Sequence, residues 1–106
     1  MARNSFQTLT EPMYYVLIAL LEEQCGVDIM SKVEELSSSR VKVGPGTLYA
    51  MIDKFLKAKM IKETKVEGRK KSYIITSFGQ EAIIKEYQRL NKMILDGTLI
   101  KELLEG

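Results

Sequence analysis

Ten lysine and arginine side chains fall between Arg40 and Lys71, against only Asp53, Glu63 and Glu67. That stretch carries a local charge of +7 in a chain whose net charge is +2, which leaves −5 for the remainder. A basic block within an acidic remainder is the electrostatic footprint of a phosphate-binding surface, whereas a merely solvated charge run mixes its signs. Lys54 and Lys57 follow the segment Gly44-Pro45-Gly46-Thr47, whose small residues leave backbone amides open to an anion. Arg69, Lys70 and Lys71 are three consecutive cations beside Gly68. The chemistry on offer is recognition of a polyanion. Covalent chemistry has no comparable set: the chain has no His, one Cys and no clustered carboxylates. A general base, a metal site and an activated nucleophile are therefore all missing, and neither an enzyme nor a cofactor is expected.

The elements that must position these cations follow from apolar spacing. Leu48, Met51, Ile52, Phe55 and Leu56 fall on one stripe of a helix within Val43–Met60. The opposite face carries Gly46, Thr47, Ala50, Asp53, Lys54 and Lys57, small near the start and mostly cationic beyond, with Tyr49 at the flank. Pro45 suits the first turn, where its missing N–H costs nothing. Such a helix fits a DNA groove, although a surface helix with solvated lysines carries the same pattern. After Met60 the period becomes extended. Ile61–Val66 and Lys71–Thr76 are β-favouring runs around Glu67-Gly68-Arg69-Lys70, which signals a hairpin with cations at its tip. A basic hairpin directly after a basic-faced helix is a winged-helix arrangement with two phosphate-seeking elements side by side.

Upstream, Thr10 is placed to cap a helix running to about Gln24, with Pro12 in its first turn and Gly26 as its stop. Val27 to about Ser37 follows as a second helix, with Ile29, Met30, Val33 and Leu36 at helical spacing. Arg40–Val43 reads as a short β-like segment, and Cys25 as a packed small residue. Downstream, Thr76 or Ser77 caps the last long helix, and Ser77 with Gln80 has capping-box spacing. Its stripe is Ile83, Tyr87, Leu90 and Ile94. Gly97 interrupts it before Leu99, Ile100, Leu103 and Leu104 resume in a shifted phase.

The first helix is apolar all round and needs cover on more than one side, while a helix beyond the wing has little of its own domain to lie on. The economical arrangement is an intersubunit one. It sets Tyr14, Leu17 and Leu21 of the first helix with Tyr87, Leu90 and Ile94 of the last in a homodimer interface; packing within one subunit is the alternative. Should the dimer enclose a cavity, Tyr14, Tyr15 and Met93 would line it and suit a small lipophilic effector. A filled interface is the alternative there. The expected fold is mainly α with a small β-hairpin. A winged helix-turn-helix occupies residues 1–76 and a C-terminal dimerisation helix 77–106. No apolar run approaches the roughly 20 residues that span a bilayer. The stretch MARNSFQTLTEP lacks a charged-then-apolar signal layout, so a cytoplasmic protein is expected.

Three segments resemble the PadR family of bacterial transcriptional regulators: LTEPMYYVLIALL (Leu9–Leu21), VGPGTLYAMIDKFLKAKMI (Val43–Ile61) and RKKSYIITSFGQEA (Arg69–Ala82). Together they cover most of the first 90 residues, and the single short helical region after the wing is similar to the smaller subfamily. The resemblance implies a dimeric winged-helix repressor on an inverted-repeat operator in double-stranded DNA. Its third helix would enter the major groove. Gly46, Thr47, Tyr49 and Ala50 would then sit where the family meets bases and phosphates, and Arg69 and Lys70 on the wing. Release from DNA by a small lipophilic ligand near the dimer centre is a further implication. A winged-helix module that docks on another protein without touching DNA remains the alternative from the residues alone, since that fold serves both purposes.

Overall fold

Thr10 accepts a hydrogen bond from the Met13 N–H at 3.4 Å and starts the first helix, α1 (Glu11–Ala19), with Pro12 in its first turn. The structure, a computed structural model, describes residues 8–106. Most of the N-terminal stretch read above for a signal layout, and the start of the 1–76 unit, lies outside the described residues. α1 is shorter than its apolar run suggests. The carbonyl of Leu20 accepts from the Ile75 N–H at 2.8 Å, and Gln24–Cys25 form a strand, β1, opposite Tyr73 and Ser72. Gly26 does not end α1; it opens the second helix, α2 (Gly26–Leu36). A Cβ on Gly26 would lie 2.2 Å from the Tyr49 hydroxyl oxygen, so the small residue serves a close approach.

Beyond α2, Ser38 and Ser39 take left-handed φ values of 54° and 66°. Ser37 holds the turn by accepting the Val41 N–H on its hydroxyl at 2.9 Å. Arg40–Val43 is not a strand. Val41 and Val43 are buried in alternation, but among the described residues no strand pairs with them, and they act as plugs that lead into the third helix. That helix, α3 (Pro45–Lys57), buries Leu48, Met51, Ile52 and Phe55 as its spacing requires. It ends through Lys59, which adopts the left-handed conformation usually left to glycine, while the Met60 N–H reaches back to the Phe55 carbonyl at 2.9 Å.

Strands β2 (Ile61–Glu67) and β3 (Lys70–Ile75) form the expected hairpin. Its connection is tighter than the sequence suggests. Gly68, at φ 63°, and Arg69 make the turn, and Lys70 joins β3 opposite Glu67. The register slips between Glu63 and Lys65, which twists the ribbon. Because β1 adds to the other edge of β3, the hairpin is part of a three-stranded antiparallel sheet in the order β1-β3-β2.

Thr76 joins this sheet to the long fourth helix, α4 (Ser77–Asp96). Its hydroxyl accepts the Gly79 N–H at 3.1 Å and donates to the Lys59 carbonyl at 2.7 Å, and its own N–H donates to the Met60 carbonyl. Gly79 rests directly on that carbonyl: a Cβ there would lie 2.1 Å from the Met60 oxygen. The cap is thus Thr76, and the Ser77–Gln80 capping box is not used. α4 stops at Gly97, and a short helix, α5 (Ile100–Glu105), follows. The core of Val16, Leu17, Leu20, Ile29, Val33, Leu48, Phe55 and Met60 lies among α1, α2, α3 and the sheet. α4 runs off it as an arm. The radius of gyration is 15.8 Å, against about 13 Å for a compact chain of this length.

Candidate nucleic-acid interface

The stripe that buries Leu48, Ile52 and Phe55 turns the opposite face of α3 to solvent. Gly46, Thr47, Tyr49, Ala50, Lys54 and Lys57 all lie on that exposed side. The β2–β3 turn brings Arg69, Lys70 and Lys71 to the same side of the molecule. With Tyr49, Cys25 at the end of β1 and the first turn of α2 (Gly26, Val27, Asp28), these three cations wall an open groove of about 480 Å³. Sequence reasoning had no access to the α2 part of this groove. The only signal was Gly26, read there as a helix stop.

Electrostatics within this surface are uneven. Lys57 pairs with Asp53 one turn before it at 3.0 Å, and Lys71 with Glu63 across the ribbon at 3.8 Å. Both pairs are exposed and screened, so each would cost little to break. Arg69 and Lys70 have no ion pair among the described residues. Arg40, counted within the basic block, is engaged instead by Glu11 on α1. Cys25 is buried and donates its thiol to the Asp28 carboxylate at 3.3 Å, a packed residue as expected. Among the described residues no three His, Cys, Asp or Glu side chains gather as a metal site. No helix there is long and apolar enough to cross a membrane.

The second predicted cluster divides. On α4, Tyr87 and Ile94 are 62% and 72% exposed and Leu90 is half-buried, so their face lacks cover from its own subunit. Tyr14 on α1 is half-buried, and Leu21, just beyond the end of α1, is exposed. Leu17 has no exposed surface, because it points into the subunit's own core, and it offers a partner nothing. Tyr14 and Tyr15 do share a groove of about 270 Å³ between α1 and α4, with Leu9, Glu11, Glu86, Arg89 and Leu90. Met93 is not in its wall; its sulfur takes a hydrogen bond from Arg89 at 3.1 Å.

Glu86 and Arg89 are the residues that sequence reasoning missed in this groove. They sit on α4 as an ordinary i, i+3 surface pair would, with no pattern to mark burial. Glu86 is only 4% exposed. Arg89 donates to both its oxygens, at 3.0 and 2.6 Å. Those bonds hold the carboxyl below the usual glutamate range; burial opposes the shift, and the Arg89 charge and the Leu9 N–H add to it. A depressed folded value places the stabilisation above the ordinary glutamate pKa of about 4.3 and removes it as pH falls through the folded value. Glu86→Gln is accordingly expected to flatten the acid limb of a melting-temperature profile below about pH 4.3, with wild type losing more over that interval. Parallel acid limbs for the two proteins would contradict this.

A family model described as transcriptional regulator PadR-like family matches residues 16–85. Among solved structures, the chain is similar to a PadR-like transcriptional regulator from Bacillus cereus, at 25% identity and a TM-score of 0.64, over 90% of this chain and 91% of that one. It is also similar to a PadR family transcription regulator from Clostridium difficile, at 18% identity and a TM-score of 0.66, over 87% and 97% of the two chains. A third likeness is to RosR of H. salinarum, at 15% identity and a TM-score of 0.62, over 91% and 98%. No curated protein matches by sequence.

Proposed function

Since the chain belongs to the PadR-like family of transcriptional regulators, we propose that it acts as a homodimeric repressor on an inverted-repeat operator. In this reading residues 1–76 bind DNA and 77–106 dimerise. α3 enters the major groove and the β2–β3 ribbon lies along the backbone. The observation that carries it is the groove that Tyr49 of α3 shares with Arg69, Lys70 and Lys71 of the ribbon, next to the exposed Thr47 and Ala50 of the same helix. Thr47 and Ala50 are small enough to approach base edges, such as a thymine methyl. Lys54, Lys57, Arg69, Lys70 and Lys71 act through phosphates, which position without specifying. The Tyr87, Leu90 and Ile94 face of α4, with Tyr14 of α1 and Leu21 just beyond that helix, meets a second copy. The groove of Tyr14 and Tyr15 is where a small lipophilic effector would act on that dimer.

Selection from a random duplex pool tests the whole. Enrichment of a two-fold symmetric site with half-sites roughly 34 Å apart is expected. Replacing both Arg69 and Lys70 by Ala should then weaken selected and random duplex alike and flatten the log–log salt slope by roughly 0.9 per lost contact. Changing Thr47 instead should cost roughly 1–3 kcal/mol on the selected site and little elsewhere. A protein that enriches no site and passes through heparin unretained would be a docking module for another protein.

A further inference from the structure

Arg40 belongs by sequence to the basic block, yet α1 claims its guanidinium. It donates to the Glu11 carboxylate and, at 3.4 Å, to the Tyr15 hydroxyl. Glu11 and Tyr15 are one turn apart on the same face of α1, so the pair fixes the direction of the guanidinium as well as its distance. The backbone of Arg40 is held too. Ser38 and Ser39 form a left-handed turn before it, Ser37 binds the Val41 N–H, and Val41 and Val43 are buried after it. Residue 40 is therefore the bracket of the turn that feeds α3.

α1 packs mainly on α2 and α4, and α3 on α2 and β2; beside the core they share and the Leu20–Ile75 bond to the sheet, the Arg40 link ties α1 directly to the turn that feeds α3. Glu11 and Tyr15 also line the groove between α1 and α4. One end of the tether thus lies at the groove between α1 and α4, and the other at the turn that feeds α3. Its strength is not the point: the two charged side chains are 60% and 48% exposed, and such a pair adds little to stability.

We propose that Arg40 is a positioning residue which, through Glu11 and Tyr15, sets α3 relative to the dimer core and so fixes the half-site spacing that the regulator accepts. This rests on the dimeric DNA-binding function proposed above. The competing role for Arg40 is direct contact with a phosphate, and the two make opposite demands on Glu11. A phosphate-binding Arg40 gains from losing its intramolecular acceptor, whereas a tether is broken equally from either end.

The test uses full-length Glu11→Gln, Arg40→Gln, the double variant and the swapped Glu11→Arg/Arg40→Glu protein. Each is measured on the duplex that wild type selects, on the same site with a one-base-pair longer spacer, and on random duplex. Each single variant and the double should lose about the same factor, about fivefold, of the preference for the native spacing. The swapped protein should recover most of it. Random-duplex affinity, salt slope and melting temperature should stay put. Tighter binding of every duplex by Glu11→Gln, with a flatter salt slope in Arg40→Gln, would overturn the inference in favour of a phosphate contact. Unchanged spacing preference in all variants would overturn it outright. Wild type that binds no duplex would overturn the proposed function itself.

Discussion

Replacing Tyr87 and Ile94 together by Asp is expected to yield a folded monomer whose affinity for its operator is lower by about 100-fold or more. Both side chains are more than half exposed within their own subunit, so the charges meet water rather than the core. In the proposed dimer they would be buried in an apolar contact, where unpaired carboxylates are not tolerated. The exposed apolar surface does not stop at Ile94. Leu95, Leu99, Ile100, Leu103 and Leu104 are 56–82% exposed and continue it along the arm, enough side chains to approach the about 800 Å² that each partner gives a stable interface. Losing the dimer converts two linked half-site contacts into one, and specific affinity falls far more than random affinity. Light scattering gives the mass and a gel-shift titration the affinity. A wild type that is monomeric at micromolar concentration would refute the arrangement. So would a monomeric variant with undiminished operator affinity.

Gly79→Ala should destabilise the protein by about 3 kcal/mol, although helix propensity alone predicts a gain of about 1 kcal/mol. Gly79 lies in the first turn of α4, where alanine is ordinarily the better residue. Here the added methyl carbon would sit 2.1 Å from the Met60 carbonyl oxygen and 2.7 Å from a carbon of Ile75. A backbone carbonyl cannot swing aside as a flexible side chain would, and this one already accepts the Thr76 N–H. The helix must therefore back away from the joint that binds it to the end of α3. In a chain of this size the melting temperature should fall by about 15 °C. A urea midpoint equal to or above that of wild type would show that the joint yields cheaply. Gly26→Ala makes a milder comparison, because its close neighbour is the far end of the Tyr49 side chain.

Much of the fold was legible because it depends on local periodicity. The α3 stripe, the hairpin, the Thr10 and Thr76 caps and the stop at Gly97 are each set by residues within a few positions of one another. The charge pattern was legible in the same way: a +7 block falls on a helix face and a turn, and it favours phosphate recognition over the docking module that the same fold also serves. The features that escaped depend on partners far apart in sequence. β1 is two residues long and has no signature of its own; it exists because Tyr73 and Ser72 present an unpaired edge. That pairing shortens α1, turns Gly26 from a helix stop into a helix start, and sets the α2 terminus beside the wing. Leu17 and Leu21 share one apolar run, yet α1 ends between them, leaving Leu17 in the core and Leu21 at the surface. Glu86 looks like any surface acid until Leu9 and Arg89 close over it. Arg40 counts as one more cation until Glu11, 29 residues earlier, claims it. Spacing along the chain determines which face a side chain takes; only the tertiary structure decides what that face meets, because contacts between distant segments leave no period in the sequence.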